Sequence, residues 1–133
     1  MPRFSSIVWM AAGTAVGGLT APVFAQHYPA KPVRVVVPFP PGGSVDVIAR
    51  LISPKVSELM GQQFVIDNRA GASGNIGAEI VARAAPDGYT LLAHTIPLVA
   101  NQYLYSRVPY EILRDFTPVC LLSASPALLV VHP

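Results

Sequence analysis

The chain has 133 residues, 52% hydrophobic and 12% charged, with a mean hydropathy of +0.48; that length allows at most one domain, and the composition excludes a disordered polyelectrolyte. A formal net charge of +2, nine Lys/Arg against seven Asp/Glu, is too weak and scattered for a nucleic-acid interface. One cysteine, Cys120, excludes an internal disulfide and any multi-cysteine metal site, and 14 prolines exclude a long uninterrupted helix or coiled coil.

Residues 1–25 read as an export signal. A basic start with Arg3 leads into the apolar run Ile7 to Leu19, and Val23 and Ala25 supply the small side chains that signal peptidase requires before Gln26. Gly13, Gly17, Gly18 and Pro22 make the alternative, a membrane anchor, a poor fit to a span needing about 20 apolar residues. Cleavage after Ala25 leaves eight positive and seven negative charges, a net of +1. Cys120, inside Val119-Cys120-Leu121-Leu122, is expected to be a buried apolar residue.

Val33 to Val37 reads as a strand apolar on both faces apart from Arg34, as a helix-covered parallel sheet requires. Pro38 to Gly43 breaks it. Ile48, Leu51, Ile52, Val56 and Leu59 then recur at helical spacing from Ser44 to Met60; Pro54 interrupts the helix or Ser53-Pro54 starts a second short one, and either way a kink is expected there. Gly61 ends the helix. Gln63 to Asp67 is a second strand, Asn68 to Gly74 a small-residue loop, and Ile76 to Ala85 a helix with Ile76, Ile80, Val81 and Ala84 on its apolar face. Pro86-Asp87-Gly88 is a turn. Tyr89 to His94 is a third strand, Leu98 to Leu104 a short helix, and Arg107 to Asp115 a surface loop. Thr117 to Leu122 and Ala127 to Val131 are two more strand candidates. The alternation is α/β with a mainly parallel sheet, and ending on a bare apolar strand reads as an incomplete domain.

Two loops lie where a parallel sheet places ligands, past a strand's carboxyl end at a helix start. Pro38 to Asp46 combines rigid prolines with Gly42 and Gly43, whose N–H groups are expected to be exposed, and Ser44 is expected to cap the helix, the makings of an anion site. Arg69 to Asn75 repeats the design. Competing motifs fail: Gly71, Gly74 and Gly77 do not have dinucleotide-fingerprint spacing, no P-loop follows, and no nucleophile elbow is present. His27, His94 and His132 lack metal-ligand spacing, and His94 reads as a packed histidine. Asp46 and Asp67 read as hydrogen-bonding carboxylates rather than a catalytic pair. With no nucleophile, base or metal cluster, the pattern favours binding without turnover.

Pro38-Phe39-Pro40-Pro41-Gly42-Gly43 with Asp46, Ala49 and Arg50 resembles the signature loop of the tripartite tricarboxylate transporter substrate-binding proteins, or Bug-type receptors. Asp67 to Glu79, Ala85 to Leu92, and Pro109-Tyr110 with Arg114 to Val119 resemble three further signatures in the same order, so the likeness covers residues 28–133.

The resemblance implies an exported, periplasmic receptor of the periplasmic binding protein (type II) two-lobe fold, residues 26–133 being the first part of lobe 1, with the crossover to lobe 2 near the end. It implies a monomer that takes a small carboxylate solute and delivers it to membrane permease subunits, with no cofactor, metal, catalytic residue or nucleic-acid partner. The implied ligand-binding residues are Phe39, Gly42, Gly43, Ser44, Asp46, Gly71, Ala72, Ser73 and Thr95. Pro54 departs from the family's continuous helix, and family members run considerably longer. Three other readings stay open: an exported hydrolase with its nucleophile elsewhere, an adaptor for a membrane sensor, and a non-functional truncated product.

Overall fold

The structure, a computed structural model, describes residues 27–125. The export signal and the strand candidate at 127–131 lie outside the described residues. Three parallel strands, β1 (Val33–Val37), β2 (Phe64–Asn68) and β3 (Thr90–Leu92), form a sheet in the order β2-β1-β3. Val33 pairs with Phe64 and Val37 with Asn68 on one side of β1, and Arg34 pairs with Thr90 on the other. Among the described residues the four α-helices are α1 (Ser44–Met60), α2 (Asn75–Ala82), α3 (Pro97–Leu104) and α4 (Ile112–Asp115).

The strand order has a direct consequence. The chain leaves β1 for one side through α1 and returns past it to the other through α2, and right-handed crossovers in opposite directions put these helices on opposite faces of the sheet. Val37, Ala49 and Ala93 form a core cluster, with Val35, Phe39, Val45 and Ile66 packed against it. Val33, Val36 and Ala78 are also fully buried. Small residues in α2 permit close approach: a Cβ on Gly77 would lie 2.6 Å from that of Pro38.

Several expectations change. α1 is one helix through the exposed Pro54 rather than two, and it ends at Gly61 in the left-handed conformation. Its Ser53 hydroxyl donates to the Ala49 carbonyl at 2.7 Å. Ile48, Ile52 and Val56 are half-buried, but Leu51 and Leu59 are exposed. α2 stops at Ala82 rather than Ala85, with Ile76 exposed. The expected surface loop at 107–115 contains α4, whose Asp115 carboxylate accepts the Glu111 N–H at 2.8 Å.

Thr117 to Leu122 is not a strand and Cys120 is exposed rather than buried. Extended β-branched residues need a neighbouring strand to satisfy their backbone groups, and among the described residues this segment has none.

Candidate functional site

Because the strands are parallel, the loops that follow them emerge at one end of the sheet. The first is Pro38–Gly43. Gly43 N–H donates to the Pro40 carbonyl at 3.4 Å and Gly42 has φ +87°, the signature of a type II turn with Pro41 and Gly42 at its centre. Gly43, in extended conformation, precedes the first residue of α1 without a side-chain cap. Ser44 therefore does not cap the helix as expected; it is the first helical residue and is exposed.

Asp46 instead braces the loop ahead of the helix. It is 2% exposed, and its carboxylate accepts the Gly42 N–H at 2.9 Å, Arg50 Nε at 3.0 Å and Asn68 Nδ2 at 2.9 Å. The Arg50 hydrogen bond, followed by those from Gly42 and Asn68, holds its pKa down at about 2. Asn68 Nδ2 also contacts the Phe39 carbonyl at 3.1 Å, and Arg50 Nη2 donates to Asn68 Oδ1 at 2.8 Å. The first loop is thus tied to the end of β2.

This geometry relocates the open donors. The Gly42 and Gly43 amides are engaged internally, contrary to expectation. The amides without an internal acceptor among the described residues are those of Ser44, Val45 and Asp46 in the first turn of α1, the end of a helix that favours negative charge.

The second loop has an unusual backbone. Gly71, Ala72, Ser73 and Gly74 take φ values of +140°, +46°, +53° and +92° in succession. Gly74 N–H donates to the Gly71 carbonyl at 2.9 Å and Asn75 N–H to that of Ala72, making a left-handed turn. Such conformations are unfavourable for Ala and Ser and persist only where surrounding contacts enforce them. The contacts come from a buried polar group. Asn101 Nδ2 donates to the Ser73 carbonyl at 3.0 Å and to Asn75 Oδ1 at 2.8 Å, and Tyr110 Oη donates to Asn75 Oδ1 at 3.0 Å. The Ser73 and Tyr105 hydroxyls lie 3.0 Å apart at the surface.

The third loop starts after β3. Thr95 is exposed, and its N–H donates to His94 Nδ1 at 2.8 Å. The His94 ring meets Phe39 edge-on at a centroid distance of 5.2 Å. Its pKa is lowered chiefly by burial, against a weaker opposing pull from the Thr95 backbone.

The structure therefore brings Phe39, Gly42, Gly43 and Ser44, Gly71 to Ser73, and Thr95 to one end of the sheet on three adjacent loops. Asp46 is buried beneath the first. Sequence reasoning missed Asn68, Asn75, Asn101 and Tyr110 as supports, although the spacing of Asp46 and Arg50, one helical turn apart, was a visible signal. Asp67 likewise sits in an ion-pair network: burial acts to raise its pKa, but Arg34 Nε at 2.7 Å and Arg69 Nε at 3.0 Å outweigh it and hold the carboxyl below its ordinary range. A groove of about 620 Å³ lies elsewhere, among Arg83, Arg107, Val108, Pro109, Tyr110, Glu111 and Arg114. Two of its arginines are paired, Arg83 with Glu79 at 2.6 Å and Arg114 with Glu111 at 2.9 Å, which cancels most of its charge. Among the described residues no His/Cys/Asp/Glu group could hold a metal, and no helix is long and apolar enough to cross a membrane.

Residues 48–133 match the model of a family described as tripartite tricarboxylate transporter family receptor. Protein BugT of Bordetella pertussis is 42% identical over 135 aligned positions, covering 100% of this chain and 41% of that one. The structure of R. palustris Rpa4515 with adipate is 48% identical, with a TM-score of 0.65 over 69% of this chain and 31% of that chain. MatC (Rpa3494) from Rhodopseudomonas palustris with bound malate is 41% identical, with a TM-score of 0.63 over 71% and 33%. The chain spans between 30% and 41% of the length of the curated relatives it matches. Its α/β fold, with a parallel sheet, is that of periplasmic binding proteins. By sequence and by fold, the chain belongs to the tripartite tricarboxylate transporter receptor family.

Proposed function

We propose that this chain supplies one wall of the binding cleft in an extracytoplasmic receptor for a small di- or tricarboxylate, serving the permease subunits of a tripartite tricarboxylate-type transporter. The observation that carries this reading is the set of unengaged amides at the start of α1, beside a left-handed turn held rigidly by Asn75, Asn101 and Tyr110. Hydrogen bonds to a charged group contribute about 1.5–3 kcal/mol each, so a few such donors hold a carboxylate without a lysine or arginine. The adipate bound to one structural relative and the malate bound to another favour the same ligand class.

In this reading Phe39 forms an apolar wall, while Gly42 and Gly43 shape the turn. Ser44, Ala72, Ser73 and Thr95 contact the solute, with Gly71 opening the left-handed turn. Asp46 acts from below by fixing the first loop. The receptor binds without turnover, acts as a monomer, and is exported with cleavage after Ala25. Residues 26–133 belong to its first lobe, and a second lobe closes over the solute. Isothermal titration calorimetry of the full receptor against C4–C6 di- and tricarboxylates tests the proposal: saturable binding of at least one supports it, and binding of none overturns it.

A further inference from the structure

His94 sits at the junction of both ligand loops. From the first loop, Phe39 packs edge-on against its ring at 5.2 Å. From the second, Gly74 lies so close that a Cβ there would fall 2.4 Å from Nε2 and 3.0 Å from Cε1. Each neighbour has a further contact away from the ring: the Phe39 carbonyl with Asn68 Nδ2, and the Ser73 carbonyl of the Gly71–Gly74 turn with Asn101 Nδ2. The ring is anchored independently of both, through the Thr95 N–H to Nδ1. The same Nδ1 lies 3.0 Å from the Thr95 carbonyl. Nε2 is buried and has no hydrogen-bond partner among the described residues. The ring's hold on the two loops is therefore one of volume rather than of hydrogen bonding.

We infer that His94 is a specificity-determining positioning residue: its ring is the spacer that sets the separation of the Phe39 loop from the Gly74 turn, and hence the length of carboxylate solute the wall accommodates. This rests on the carboxylate-receptor reading above. Truncating a spacer lets the loops approach each other, which alters the site for short and long solutes unequally. A variant that merely lowers the folded fraction weakens apparent affinity for every solute by one common factor, so the ratio of affinities separates the two roles.

The test is calorimetry of the full receptor with straight-chain dicarboxylates from succinate to adipate. His94→Ala is expected to change the ratio of affinities between the two ends of the series by about tenfold, the scale on which contacting residues couple. His94→Phe, which keeps a planar ring against Phe39 and drops the unpaired nitrogen, is expected to restore the wild-type ratio without lowering the melting temperature. A uniform loss across the series in His94→Ala, or no change, overturns the spacer role while leaving the carboxylate reading intact. A wild-type receptor that binds none of the series overturns the carboxylate reading and this inference with it.

Discussion

Asn68 Nδ2 lies 2.9 Å from Asp46 Oδ1, joining the end of β2 to the first turn of α1 across 22 residues of sequence. This contact matters because the same Asn68 amide nitrogen lies 3.1 Å from the Phe39 carbonyl. The conformation of the first ligand loop is thereby set from outside the loop, by a side chain on the neighbouring strand.

Asn68→Ala is expected to destabilise the fold by about 1–3 kcal/mol, the cost of leaving buried polar partners unsatisfied. Urea denaturation of the variant beside the wild type checks it. A midpoint within error of the wild type would show that water replaces the amide at no cost.

The Asp46 carboxyl adds a pH dependence whose sign is determined. Its folded pKa, about 2, lies below the ordinary 3.8, so the unfolded chain takes up the proton first as pH falls. The stability it contributes is fully present above pH 3.8 and is lost progressively down to about pH 2. Asp67, also depressed, acts in the same direction. Denaturation midpoints between those limits are expected to fall more steeply for the wild type than for Asp46→Asn, and parallel curves would be the contrary result.

Two glycines of the site are expected to respond differently to substitution. Gly43 has φ −71°, and an added Cβ would meet only the Pro40 carbonyl oxygen at an ordinary 3.5 Å. Gly43→Val should therefore leave the melting temperature nearly unchanged while abolishing carboxylate binding, because the new side chain fills the approach to the amides. Unchanged affinity would remove the first loop from the site. Gly74 combines φ +92° with the His94 clash. Gly74→Ala should therefore destabilise the fold by about 1–3 kcal/mol, the range for a strained backbone conformation, as read by thermal melting.

Tyr110 is 4% exposed, and its hydroxyl donates to Asn75 Oδ1. Tyr110→Phe keeps the ring packed edge-on against Phe116 and removes only the hydroxyl. The expected loss is about 0.5–1.5 kcal/mol, that of a single neutral hydrogen bond, with weaker solute binding because Asn75 helps Asn101 support the second loop. Chemical denaturation and calorimetry on one preparation separate the two effects. A stability loss without any loss of affinity would confine Tyr110 to the core.

The local chemistry of the sequence was enough to place the three strands, three of the four helices and the turns between them. Val33 to Val37 is extended because β-branched side chains favour that backbone. Gly61 ends α1 because glycine accepts a positive φ, and Pro41-Gly42 specifies its turn by the dihedrals those residues prefer. What only the tertiary structure decided depends on contacts between distant residues. The crossing of the chain past β1 brings Asn68 under Asp46, and Asn101 and Tyr110 under Asn75; no local propensity encodes those meetings. Exposure is decided in the same way. Leu51 and Leu59 follow the helical period yet face outward, whereas Ala49 and Ala78 are buried. The open amides moved from Gly42 and Gly43 to the first turn of α1 for a similar reason: the folded chain brings the Asp46 carboxylate to the Gly42 N–H and the Pro40 carbonyl to that of Gly43.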